Sequence, residues 1–296
     1  MFSGYLFSFV FILLLASGIF LFGYAARRVS ALYVTALEII LGSLLVAPIV
    51  LIIDGINLSE LFTKPSNQNW FWLGLASITG FIGGNFFSII NLKTAGERTN
   101  SLLSPAITAC AVAASAIIFN EAMTLVKMVG IVITLTAVTF FLIFKTKNKI
   151  RSAQKNIAAW SGGATVLCIT LTIICSIKGA QYTQLSIMHT VWLRLILVLP
   201  FSIGILLTGN RAIAANGSIK VHGAIAAGVI AQTILASYLW FYCTYKIGIA
   251  TFQILIATLP FFVYAADVYL FKRTKPSLYF LITALVAVLG IWLVMS

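Results

Sequence analysis

The chain has 296 residues, of which 61% are hydrophobic and only 8% are charged. A soluble protein carries roughly 25% charged residues, so this composition excludes a soluble enzyme, a secreted disulfide scaffold and a disordered chain. We predict an all-α polytopic membrane protein. The net charge of +13 comes from cations in short clusters between apolar segments, as at a bilayer surface, and no nucleic-acid partner is expected.

Ten apolar segments follow one another, each near the roughly 20 residues that a helix needs to cross a bilayer. Their apolar character is unbroken, which predicts helices rather than the alternating strands of a barrel. The first has no basic start or small-residue cleavage site and is expected to be retained. Numbered one to ten, the spans are predicted at 2–24, 31–53, 70–92, 99–119, 125–144, 157–177, 186–208, 221–243, 249–271 and 277–295.

A basic loop divides the spans five and five. We therefore predict a first repeat at 1–144, a cytoplasmic linker at 145–156 and a second repeat at 157–296. Because five is odd, two related halves would insert with opposite orientations, as an inverted repeat.

Weak internal similarity favours this duplication. Ser30 and Ser186 begin spans two and seven, and each is followed eight residues later by a charge. Spans four and nine contain Pro105 and Pro260, which are 155 residues apart.

The loops after odd-numbered spans hold 14 Lys and Arg residues, and the alternate loops hold four. The positive-inside rule therefore predicts that the first set is cytoplasmic and that both termini are outside, in a multi-pass protein of the cell inner membrane. The 14 residues are Arg27, Arg28, Lys93, Arg98, Lys145, Lys147, Lys149, Arg151, Lys155, Arg211, Lys220, Lys272, Arg273 and Lys275.

Glu38 and Arg194 lie well inside spans two and seven, and Asp267 lies near the end of span nine. A charge at that depth costs a few kcal/mol, so it should face a partner or a wet cavity. Glu38 and Arg194 are therefore expected to line a substrate route, although a charge that only joins two helices is the alternative. Asp267 could simply pair with Lys272.

Uncharged polar side chains add to these candidates, because lipid cannot satisfy their hydrogen bonds. Each could instead be an ordinary hydrogen bond between helices. Tyr238 and Trp240 could stack on an organic substrate or lie at the membrane interface. The predicted cavity residues besides Glu38 and Arg194 are Asn85, Ser88, Asn100, Ser104, Thr170, Gln232, Tyr238, Trp240 and Gln253.

Pro105 and Pro260 are expected to loosen their helices, and they are candidate hinges for alternating access. Candidates for proton coupling are Glu38, His189 and Asp267. No nucleotide-binding, metal-binding or catalytic motif is found in the sequence. We therefore expect no cofactor, no metal and no catalytic residue.

The segment from Gly96 to Ile143 contains Ser104-Pro105, then an apolar run ending at Glu121, then Gly130. With ten short-looped spans, this pattern resembles the drug/metabolite transporter (DMT) superfamily in its EamA-type branch. The second half echoes the pattern with Leu259-Pro260 and Gly290.

Three features depart from the family pattern. Lys272-Arg273 stands where a Glu is expected in the second half. The Arg that the family often has in its second span is matched by Arg194, but by Glu38 in the first half. Better-known eukaryotic relatives also place both termini in the cytosol. The resemblance implies a secondary transporter of small organic solutes with a cavity between the halves, and it identifies no substrate-binding residue.

We therefore expect a monomeric or homodimeric transporter that exports a small-molecule metabolite such as an amino acid across the lipid bilayer, with protons as the candidate coupling ion. The alternative is a membrane enzyme acting on a lipid or isoprenoid head group. It would need convergent acids or histidines at one membrane face, where the sequence offers Asp267 near Lys272 and Arg273.

Overall fold

The structure is a computed structural model that describes residues 2–145, 152–181, 185–208, 218–273 and 278–295. All regular secondary structure in these ranges is helical. The helices are α1 (Phe2–Ala26), α2 (Ala31–Asp54), α3 (Glu60–Thr63), α4 (Asn67–Ser77), α5 (Phe86–Ser101), α6 (Leu103–Ile118), α7 (Leu125–Lys145), α8 (Ser152–Gln181), α9 (Ile187–Ile196), α10 (Leu199–Thr208), α11 (Ile219–Gly228), α12 (Ser237–Ile247), α13 (Ile249–Ile256), α14 (Leu259–Ala265) and α15 (Leu278–Met295), with π-helical segments at Ile78–Asn85, Val229–Ala236 and Ala266–Leu270.

Within the described ranges, seven helical stretches are long and apolar enough to cross a membrane, and three shorter apolar helices accompany them. Together they occupy the positions of the ten predicted spans, and the predicted all-helical membrane fold is confirmed. Several spans are composite: span three is α4, a π-helical segment and the part of α5 before the kink at Gly96, and span eight is α11, a π-helical segment and α12. Span seven is α9 with α10, and span nine is α13 with α14 and the last π-helical segment.

The predicted linker at 145–156 lies partly outside the described residues. The last residues of the predicted linker are helical, because helix α8 begins at Ser152. Most of the linker's other residues fall in 146–151, which the structure does not describe. The predicted division into two repeats stays a prediction.

The spans pack mainly across the two halves of the chain. Spans two and seven pack together, as do four and nine, and five and ten. Span one packs on span eight, and span three packs on span six, which are equivalent pairs if the halves are related by a two-fold axis. This arrangement supports the predicted repeat.

Unusual backbone conformations recur at a constant spacing. Gly96 and Gly248 have φ of 84° and 83°, a conformation open to glycine, and each separates two successive spans. Asn120 and Lys272, both at φ 51°, are the non-glycine residues with positive φ in the described ranges. Both pairs are 152 residues apart, a constant offset that agrees with the predicted repeat.

This spacing places the two prolines at different positions within their equivalent spans. Pro105 lies nine residues after Gly96, whereas Pro260 lies twelve residues after Gly248. They therefore share equivalent spans but differ by three residues, or almost one helical turn. Both prolines also lie in the first turn of a helix, after an interruption at Leu102 or at Ala257–Thr258. They follow breaks in the spans, where a missing backbone N–H is tolerated.

Charged residues at one end of the bundle form ion pairs that join the ends of three spans. Arg27 contacts Glu97 at 2.7 Å, and Asp267 contacts Arg98 at 2.5 Å and Arg273 at 3.5 Å. We call this end, with these five residues, the basic end. It joins the end of span one, the start of span four and the end of span nine.

Candidate substrate cavity

A central cavity of about 240 Å³ lies between the two halves. Residues of spans one to four form part of its wall, and residues of spans six to nine form the rest. Its volume corresponds to roughly eight water molecules at about 30 Å³ each. The cavity is therefore of a size for one small metabolite.

Nine of the eleven predicted cavity residues line this one space. The two others, Thr170 and Tyr238, do not line it. In span six the cavity is lined instead by Thr172, because residues two apart on a helix point to different sides. Tyr238 stacks on Tyr242, with ring centroids 6.4 Å apart. The nine are Glu38, Asn85, Ser88, Asn100, Ser104, Arg194, Gln232, Trp240 and Gln253.

Glu38 is held at the cavity by the π-helical segments of spans three and eight. Its side chain is buried, and Oε1 accepts hydrogen bonds from Asn85 Nδ2 at 3.0 Å and from Thr233 Oγ1 at 2.7 Å. Asn85 ends one π-helical segment and Thr233 lies in the other. Oε2 is also buried, but it has no hydrogen-bond partner among the described residues. π-Helical turns are frequent at functional sites because they redirect side chains.

Arg194 faces the same cavity without an acidic partner. The described residues contain no carboxylate within 4 Å of its guanidinium, so Glu38 and Arg194 are not an ion pair. The guanidinium instead lies 5.5 Å from the Phe81 ring and 6.0 Å from the Phe241 ring. Its buried Nε has no hydrogen-bond partner among the described residues.

Three further cavity groups are buried without a described partner. They are an acceptor on Gln232, a donor on Gln253 and the hydroxyl of Ser176. An ideal Cβ at Gly18 would lie 2.1 Å from Gln232 Oε1, so only glycine lets span one approach this side chain. Buried polar groups are normally satisfied. A cavity with several open donors and acceptors is therefore suited to a polar guest or to water.

Other polar groups of the wall are bonded within the protein. Ser104 Oγ donates to the carbonyl of Ile256 at 2.8 Å, and Thr108 Oγ1 donates to the carbonyl of Gln253 at 2.9 Å. The carbonyl of Ile256 lies four residues before Pro260, which cannot donate a backbone bond to it. Ser104 therefore replaces the missing helix bond and joins spans four and nine.

His189 and Asp267, the two other proton-coupling candidates, do not line the cavity. His189 is fully buried at the opposite end of the bundle, where its Nε2 lies 3.0 Å from the carbonyl of Leu61. Its Nδ1 lies 4.0 Å from Asp54, a residue that also accepts a hydrogen bond from Ser186 at 2.7 Å. Both histidine nitrogens thus face groups that end span two or follow it.

Asp267 belongs to the basic end. The alternative that Asp267 pairs with Lys272 was wrong, because the carboxylate pairs with Arg98 and Arg273. This carboxylate is 4% exposed and is engaged by Arg98 of the first half and Arg273 of the second half. It therefore joins the two halves. A head-group enzyme would need acids that converge on a substrate. Asp267 is instead occupied by two arginines, which argues against that alternative.

Sequence reasoning missed Thr233, Thr165 and Ser176, which also line the cavity. Each is a small hydroxyl residue in an apolar span, a type that often bonds to its own helix. Thr165 does so, donating to the carbonyl of Ser161 at 2.8 Å. A signal for Thr233 was its place next to Gln232, within the span that faces span two.

Comparison with known proteins identifies the family. The EamA-like transporter family matches residues 2–143. No curated protein matches the chain. A solved structure titled "Crystal structure of protein" is 18% identical, covers 99% of this chain and 96% of its own, and has a TM-score of 0.73, which shows a shared fold. The resemblance predicted from the sequence is thus confirmed over the first half of the chain: residues 2–143 match the EamA-like transporter family, a family of membrane transporters in the DMT superfamily.

Proposed function

We propose that this protein is a secondary transporter that carries a small organic metabolite, such as an amino acid, by alternating access. The observation that carries the proposal is the placement of Glu38 and Arg194 on one cavity between the halves, each without a counter-charge. Buried charges without partners are costly. Their retention is explained if a substrate supplies the missing partners.

Movement of one half against the other would expose the cavity to each side in turn. The interruptions at Leu102 and Ala257–Thr258 lie beside cavity residues and provide places where spans four and nine can bend. We keep Pro105 and Pro260 as hinge candidates because each follows such an interruption. Bending at these interruptions does not require the two prolines to occupy equivalent positions.

The chemistry of Glu38 supports a proposal for the direction of transport. One carboxylate can bind a proton or a cationic substrate group, but it cannot bind both at once. This competition favours exchange of substrate for protons. In a cell inner membrane, where protons flow inward, exchange would drive the substrate outward. We therefore propose export, with both termini outside, as the distribution of basic residues predicts.

The transport proposal is tested by counterflow into proteoliposomes that contain the purified full chain. With one unlabelled amino acid inside, we expect the same labelled amino acid to accumulate transiently. Arg194→Gln should lower this accumulation by roughly 10-fold or more, the range for a hydrogen bond to a charged group. The matched control is Asp54→Asn, which removes a carboxylate outside the cavity. Absence of counterflow for all twenty amino acids would reject this substrate class.

The proton role of Glu38 is tested with an imposed pH gradient. Wild-type protein should drive substrate against its concentration gradient when the opposite compartment is acidified. Glu38→Gln should still bind but lose this pH-driven accumulation, because a glutamine does not titrate. A Glu38→Gln protein that keeps full, pH-dependent accumulation would exclude Glu38 as the proton carrier.

A further inference from the structure

Opposite charges occupy matching positions in the two halves. Ser30 and Ser186 both cap their helices, accepting hydrogen bonds from the backbone nitrogens of Tyr33 at 3.1 Å and His189 at 3.0 Å. Glu38 and Arg194 each lie eight residues after their cap. The duplication thus gives the cavity one negative and one positive group, so its charge does not share the two-fold symmetry of its backbone.

Spans two and seven run in opposite directions, which separates these charges along the membrane normal. The end of span two meets the start of span seven, because Ser186 Oγ donates to Asp54 at 2.7 Å. From that contact, Glu38 is sixteen residues away and Arg194 only eight. At about 1.5 Å per residue, their Cα atoms differ in depth by roughly 12 Å, with Glu38 nearer the basic end.

The side chains close part of this gap along span three. Glu38 is bonded by Asn85. A guanidinium nitrogen of Arg194 lies 3.3 Å from the position of an ideal Cβ at Gly80. These two contacts are five residues apart on span three, a separation of at most roughly 7.5 Å at the α-helical rise of about 1.5 Å per residue. An amino acid held at both ends spans a similar distance. Its α-amine and carboxyl carbon are about 2.5 Å apart, and a hydrogen bond of about 2.8 Å at each end brings the total to about 8 Å.

We infer that Glu38 and Arg194 bind the two ends of a single dipolar substrate and fix its orientation. The ammonium group points toward the basic end and the carboxylate points toward the opposite end. The inference rests on the proposed transport function and assigns the two charges a selective role. Glu38 Oε2 and Arg194 Nε are the unpartnered atoms that such a substrate would satisfy.

The remaining wall fits the apolar part of such a molecule. Ile107, Ile173, Trp240 and Leu259 line the same cavity. A compound with only one charge would leave either Glu38 or Arg194 unpaired, and binding sites reject such analogues strongly. The preferred ligand is therefore an apolar amino acid rather than the corresponding amine or acid.

The test compares L-leucine with its two half-analogues, 3-methylbutylamine and 4-methylpentanoate. Each compound competes with labelled L-leucine in counterflow by the full chain in proteoliposomes. Wild-type protein should prefer leucine over both analogues by at least 10-fold. Glu38→Gln should lose its preference against the acid only, and Arg194→Gln should lose its preference against the amine only. Asp54→Asn is the charge-removal control and should keep the wild-type order.

This crossed pattern separates a selective role from general damage. If leucine is transported but both variants weaken all three compounds equally, the orientation is wrong and the transport proposal survives. If Glu38→Gln instead loses its preference against the amine and Arg194→Gln against the acid, the two residues do not bind the ends of the substrate assigned to them. If neither leucine nor any other amino acid is transported, the proposed substrate class itself fails.

Discussion

The central cavity and the basic end both contain charged groups inside the bundle, but they treat them differently. At the basic end, Asp267 is bound by Arg98 at the start of span four and by Arg273 after the end of span nine. In the cavity, Glu38 and Arg194 line the same space but do not contact each other. Charges are thus ion-paired where they join spans, and they lack a counter-charge where a substrate could bind.

This contrast shows which buried polar groups hold the fold and which wait for a ligand. A paired charge becomes costly when its partner is removed, because the remaining charge is left unsatisfied. An unpaired charge already bears that cost in the folded protein. Removal of the second kind should leave stability unchanged or raise it, and it should affect substrate binding instead.

The largest effect on stability is expected for Asp267→Asn. The substitution leaves Arg98, whose side chain is 26% exposed, without its carboxylate. Breaking a fully buried pair costs about 3–5 kcal/mol and a surface pair below about 1 kcal/mol, so a loss of about 2 kcal/mol is expected here. Unfolding in mixed detergent–SDS micelles measures it. Arg273→Gln, at the more exposed partner, should lose less than half as much.

Glu38→Gln provides the matched contrast on an equally buried carboxylate. The glutamine oxygen can still accept from Asn85 and Thr233, and the charge with its unpartnered oxygen is removed. The free energy of unfolding should stay within about 1 kcal/mol of wild type or increase. A loss as large as that of Asp267→Asn would show that Glu38 holds the bundle together, and it would break the comparison.

Much of this contrast was visible in the sequence, because burial cost alone points to Glu38 and Arg194. Apolar length predicted the ten spans for the same reason: each span must satisfy its backbone within a helix. Depth along a helix does not state which way a side chain faces. Thr170 and Thr172 are equally polar and equally deep, yet only Thr172 lines the cavity.

The partners of the charges were beyond sequence reasoning. Arg98 and Asp267 are 169 residues apart and meet because spans four and nine pack together. The π-helical segments that bring Asn85 and Thr233 to Glu38 also have no simple sequence signal, since their residues are as apolar as those of an ordinary helix. The prolines were found at once, but their position at helix starts depends on breaks that no spacing reveals.

The smallest effects come from two serines in the cavity wall, and they sharpen the same distinction without charge. Ser104 donates to the carbonyl of Ile256, whereas the hydroxyl of Ser176 has no described partner. Ser104→Ala should therefore lower the free energy of unfolding by about 0.6 kcal/mol, the average for such bonds between membrane helices, and leave the apparent affinity for substrate nearly unchanged. Ser176→Ala should do the opposite, weakening substrate binding in counterflow while unfolding stays as in wild type. If both variants behave alike in both assays, hydrogen bonding within the protein does not separate structural from binding hydroxyls. An unbonded hydroxyl would then not identify a substrate-binding group in this cavity.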